Sequence, residues 1–129
     1  MAVLADTTVL IDVLRGRAAG TRMLALQRTG ETPYVSAVNV EELVRGVRPS
    51  ERNALGGLLN GLRLAPLGRR EGELAGEWRR AFAGRGTTLS QADCLIAAAA
   101  VGVGAILVTG NSRHFPMPGL TVEHWPVGE

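Results

Sequence analysis

Short apolar runs alternate with amphipathic stretches along the chain, and this alternation predicts its elements. Residues 2–5 form an apolar run that stops at Asp6, after which Val9, Leu10, Val13 and Leu14 take up helical spacing. A second helix is predicted over 18–27, with Met23, Leu24 and Leu26 apolar, closed by the turn at Thr29-Gly30. Residues 33–36 read as a strand. The stretch from Ser36 onward reads as a helix capped by Ser36 and ended at Pro49, with Val40, Leu43, Val44 and Val47 as a core-facing stripe. Residues 50–61 predict a helix capped by its leading serine, with leucines at 55, 58 and 59. Its glycines 56, 57 and 61 each cost roughly 1 kcal/mol relative to alanine, so it needs outside support.

The second half continues the pattern. A strand within 62–67 ends at Pro66, and an amphipathic helix over 69–83 places Leu74, Trp78 and Phe82 on one stripe, a core or dimer surface. Residues 90–104 are apolar nearly all round after Asp93, the mark of a buried helix. Residues 105–109 form a buried strand ended by Gly110-Asn111, and 120–123 form the last strand, with Trp125 and Pro126 closing the fold. Strands alternating with helices imply an α/β fold with a parallel sheet and right-handed crossovers.

Composition narrows the function classes. At 129 residues the chain fits one domain, 1–129, with a proper core. All 14 basic residues are arginine, which suits bidentate phosphate contacts; a G+C-rich genome produces the same bias on its own. The one cysteine, Cys94, excludes an internal disulfide framework and fits a reducing compartment. No signal peptide or bilayer-spanning run is visible, so the expected location is the cytoplasm, away from membranes. Aromatics are only 4% of residues, so the chain offers few platforms for stacking on a flat ligand.

The candidate chemistry lies in a few acids. Aspartate occurs only at positions 6, 12 and 93. Asp6 stands at the carboxyl end of the first strand, where open α/β sheets bind ligands, although the same position suits a helix N-cap. On the helix after Ser36, Glu41 lies beside Arg45 as an i,i+4 surface pair, whereas Glu42 falls on the other flank with Asn39 and Gly46. Gly46 leaves room for close approach, which makes Glu42 the candidate functional acid and Glu41 the solvated one. Asp93 follows Ser90 at capping-box spacing, but Ala97 and Ala100 leave a small wall behind its carboxylate. Asn111 repeats the logic of Asp6 after a later strand, while His114 reads as a surface residue. A parallel sheet brings Asp6, Glu42, Asp93 and Asn111 to one edge. Three converging carboxylates call for a cation, and an all-oxygen set selects a hard one, Mg²⁺ or Mn²⁺, suited to phosphoryl transfer.

The segments ADTTVLIDVL, VSAVNVEELVRGV, ADCLIAAAA and ILVTGNSRHF, in this order and spacing, resemble a PIN domain of the short bacterial form, the VapC toxin of a type II toxin–antitoxin pair. The resemblance spans nearly the whole chain. It implies a three-layer α/β/α domain around a parallel sheet of four to five strands. It also implies a Mg²⁺-dependent endoribonuclease with Asp6, Glu42 and Asp93 as its acids, Asp6 and Asp93 being the expected Mg²⁺ ligands, Glu42 a third ligand to the same ion, and Thr8 and Thr109 supporting hydroxyls. A fourth acid position, often Asp in the family, is Asn111 here, which removes one charge and weakens the case for a second metal. A homodimer and a cognate antitoxin are implied as well, the latter placed on the glycine-weakened helix at 50–61. The competing readings are a catalytically silent PIN-like module that binds RNA or protein, and a receiver-like phosphoacceptor, which the absence of any lysine opposes.

Overall fold

Five short strands pair in the computed structural model, which describes residues 1–129: β1 (Val3–Ala5), β2 (Tyr34–Ser36), β3 (Arg63–Ala65), β4 (Ile106–Thr109) and β5 (Val122–His124). Their order is β3-β2-β1-β4-β5, and every pairing is parallel. Helices α1 (Thr7–Leu14) and α2 (Ala18–Arg28) connect β1 to β2, and α3 (Ala37–Gly46) and α4 (Arg52–Asn60) connect β2 to β3. Helices α5 (Arg69–Ala83) and α6 (Gln91–Gly102) connect β3 to β4.

Strand alternation divides the core into two layers. Leu4 and Leu107 point to one face, where Trp78 of α5 and Ile96 and the alanines of α6 cover them. Val3, Ala5 and Val108 point to the other, against Val9, Leu10, Met23, Leu43 and Leu55 of the first four helices. The result is the expected α/β/α sandwich, with five strands. The chain enters at β1 and builds outward in both directions, so its topological switch point lies between β1 and β4, where a parallel sheet opens a crevice beyond its carboxyl ends.

Two expectations about local packing fail. Val44 is 52% exposed and does not belong to the core. On α3 the inward position is taken by Asn39, which is fully buried because polar partners meet it there. Ser50 caps nothing: residues 49–51 form a 3₁₀ turn, and α4 begins after it. The Glu51 carboxylate accepts from the Arg48 N–H at 2.9 Å and from Arg15 Nε at 3.1 Å, tying that turn to the end of α1.

Asp12, buried within α1, is structural. Its carboxylate accepts the Gly128 N–H at 3.0 Å and faces Arg17 at 3.7 Å, anchoring the tail that follows β5. Two glycines test the packing in opposite senses. A methyl at Gly20 would stand 2.7 Å from the Asp12 carbonyl oxygen, where α1 and α2 cross, whereas Gly57 on α4 faces open space. Gly20→Ala should lower stability by about 1–3 kcal/mol and Gly57→Ala should raise it by about 0.5–1 kcal/mol, read from urea midpoints.

Candidate active site

Asp6 sits where β1 turns into α1, and its side chain is not used as a cap. It is 5% exposed, and it looks across the switch point to β4. Thr109 Oγ1 donates to Asp6 Oδ2 at 2.7 Å, and Thr8 Oγ1 approaches the same oxygen at 3.4 Å. Each hydroxyl also accepts a backbone N–H from the loop after β4: Gly110 to Thr8 and Asn111 to Thr109, both at 3.0 Å. One carboxylate oxygen therefore organises the loop that carries Asn111. Asp6 Oδ1 receives no side-chain donor.

A second chain of hydrogen bonds positions Glu42. Ser36 caps α3 and donates to Asn39 Oδ1 at 2.7 Å; Asn39 Nδ2 donates to Thr7 Oγ1 at 3.1 Å; Thr7 Oγ1 donates to Glu42 Oε1 at 2.7 Å. Thr7 has no place among the residues expected from the sequence. The signal for it was the paired hydroxyls after Asp6, of which only Thr8 was singled out. Glu41 behaves as expected, paired on the surface with Arg45 at 3.2 Å.

Asp93 completes the set. Its backbone N–H donates to Ser90 Oγ at 3.0 Å, but its carboxylate does not return the bond, so only half of the capping box forms. The free carboxylate has Oδ2 3.7 Å from His114 Nδ1. His114 is exposed, as expected of a surface residue, yet it faces the site.

Asp6, Glu42, Asp93 and Asn111 line one cavity of about 330 Å³ with no hydrophobic residue in its wall. Thr7, Thr8, Arg45 and His114 form the remainder. A larger cavity of about 650 Å³ lies between α2 and the sheet, but its acids Glu31 and Glu123 are already paired with the Met1 amino group and with Arg22. Chemistry, not volume, separates the two. Burial pushes the Asp6 carboxyl above its ordinary value; the Thr109 hydroxyl and Thr7 backbone N–H oppose this, while Asp93 and Glu42 add to it.

A divalent cation fits this donor set by its chemistry: oxygen ligands, a buried carboxylate with one oxygen that no side chain donates to, and like charges facing it. The side chains as they stand do not bring any three acidic, histidine or cysteine groups around a single point. The set thus suits an ion held by few direct ligands and completed by water.

The PIN domain family model matches residues 3–118, and the chain belongs to that family. Ribonuclease VapC19 of Mycobacterium tuberculosis is 40% identical over 119 residues, covering 88% of this chain and 92% of that protein. Ribonuclease VapC10 of the same organism is 34% identical over 119 residues, 89% of this chain and 86% of that protein. Among solved structures, VapBC2 from Rickettsia felis bound to a promoter DNA fragment aligns with TM-score 0.83 at 23% identity, over 97% of this chain and 99% of that one. DNA-bound VapBC from Salmonella typhimurium aligns with TM-score 0.82 at 23% identity, over 97% and 98% of the two chains. At that identity the structures show a shared fold.

Because Asp6 is held in a site that disfavours its charge, the folded chain binds its proton more tightly than the unfolded chain does. Metal-free stability should therefore fall as pH rises from the ordinary carboxylate range through the raised value. Asp6→Asn should melt several degrees above wild type at neutral pH without metal, the gap closing below pH ~4. Added Mn²⁺ should raise the wild-type melting temperature and leave that of Asp6→Asn unchanged.

Proposed function

We propose that the chain is a divalent-metal-dependent endoribonuclease, the toxin of a type II toxin–antitoxin pair. The observation that carries this reading is the meeting of Asp6, Glu42 and Asp93 in one wholly polar cavity at the switch point of the sheet. The 40% identity to a protein named as a ribonuclease supports it.

Asp6, Asp93 and Glu42 would hold Mg²⁺ or Mn²⁺ in the carboxylate cavity. When bound, such an ion offsets phosphodiester charge and makes a water acidic enough to attack near neutral pH. The chain's own residues do the positioning. Thr109 and Thr8 fix Asp6 through Oδ2, with no side-chain donor on Oδ1. Thr7 occupies Glu42 Oε1, so Oε2 is the acceptor for the proton of the attacking water. Asn111 adds an oxygen without charge, and the three formal negatives suit one ion rather than two. RNA is the substrate in this reading, and the working compartment is the cytoplasm.

The antitoxin is placed on the groove between α3 and α4. Val44, Val47, Arg52, Leu55, Gly56 and Leu59 line about 270 Å³ there, and the exposed Val44 is one residue from Arg45 of the site. A segment seated in this groove would reach the mouth of the carboxylate cavity and supply the support that α4 lacks from its own glycines. A homodimer belongs to the same reading.

In Mg²⁺ the protein should cleave total RNA, and EDTA or Asp6→Ala should abolish cleavage. Asp93→Asn should lose metal and activity while staying folded. Glu42→Gln should lower the rate at least ~100-fold, with Glu41→Gln within about threefold of wild type. Equal cleavage by wild type and Asp6→Ala would overturn the nuclease reading; equal losses at the two glutamates would overturn the choice of Glu42.

A further inference from the structure

Beside the carboxylate cavity lies a second, smaller one whose charge is reversed. It encloses about 170 Å³ and is lined by Gly110, Asn111, Ser112, Arg113, His114 and His124, without an acid or an apolar residue. It shares Asn111 and His114 with the carboxylate cavity, so the two open side by side. Arg113 is exposed and pairs with no carboxylate, unlike Arg45 on the opposite flank, which is committed to Glu41.

The frame of this cavity is rigid. The Gly110 and Asn111 N–H groups are held by Thr8 and Thr109, and β5 sets His124 in register beside Thr109. The Trp125 N–H donates to the Thr109 carbonyl at 2.8 Å, closing the frame from the other side. Val127 packs against Gly110 so closely that an added Cβ would collide with its two methyl groups.

A nucleic-acid strand with one phosphate among the carboxylates carries the next phosphate a nucleotide away. That second phosphate needs donors without competing acids. A guanidinium fork, the His124 imidazole, an amide and a hydroxyl provide them here. We infer that this cavity binds the RNA phosphate adjacent to the scissile one, with Arg113 as its principal contact and His124 as a second. The inference rests on the nuclease reading, because the neighbouring cavity must hold the scissile phosphate.

The test is RNA binding without metal, so that no cleavage occurs. A fluorescein-labelled RNA stem-loop is titrated with the whole protein in EDTA over a range of salt concentrations, read by anisotropy. Arg113→Gln should weaken binding about 5- to 10-fold and reduce the slope of log affinity against log salt by about 0.7–0.9, the loss of one phosphate contact. Arg113→Lys, which keeps the charge, should retain the wild-type slope, and His124→Asn should weaken binding by a smaller factor. Arg28→Gln, an exposed arginine on α2 remote from the site, should stay within about twofold of wild type.

Wild-type affinity and slope in Arg113→Gln would overturn the subsite, as would an equal loss in Arg28→Gln or a wild-type protein that binds no RNA. The nuclease reading fails separately. Binding that depends on Arg113, with no cleavage once Mg²⁺ is restored, would leave an RNA-binding subsite beside an inactive centre.

Discussion

The hydrogen bond from Thr109 to Asp6 is the point on which the site depends. It joins the carboxyl ends of β1 and β4, neighbours in the sheet but more than a hundred residues apart in sequence. A buried carboxylate is costly unless its oxygens are satisfied, and here one oxygen draws in two hydroxyls while no side chain donates to the other. The same two hydroxyls hold the backbone of the loop after β4. Fixing one acid therefore also fixes Asn111 and the floor of the cavity beside it.

The other half of the site is built by a different route. The polar relay from Ser36 through Asn39 and Thr7 to Glu42 begins as a helix cap and ends as a positioned carboxylate. Asn39 is the hinge of this arrangement, since it completes the cap of α3 and binds the first residue of α1. Local stability of α3 and placement of Glu42 are thus one interaction network. Asp93 stands apart, its backbone N–H bonded to Ser90 and its carboxylate facing His114 at 3.7 Å. Two acids are positioned by hydrogen bonds and the third by an imidazole, and the three share a cavity without closing on one point.

Much of this was legible in the chain because burial and strand ends leave strong marks. The apolar runs before Asp6 and Asn111 located β1 and β4, and helix spacing separated Glu42 from Glu41. Periodicity misjudged positions where a polar residue displaced an apolar one. Val44 reads as core, but the inward place on α3 belongs to Asn39, whose partners come from a distant element. Thr7 was missed for the same reason, as its role exists only when α1 and α3 pack together. His114 looked like surface and is surface, yet the turn after β4 brings it to Asp93. The roles of Asp12 and Val127 were equally hidden, because both depend on where the last residues cross the sheet.

A shared cation between two acids that lie far apart in sequence is the central claim, and anomalous diffraction from a crystal grown with Mn²⁺ tests it most directly. One manganese peak within coordinating distance of both Asp6 and Asp93 is the expected result. No manganese between them, with the two carboxylates engaged in separate environments, would contradict it.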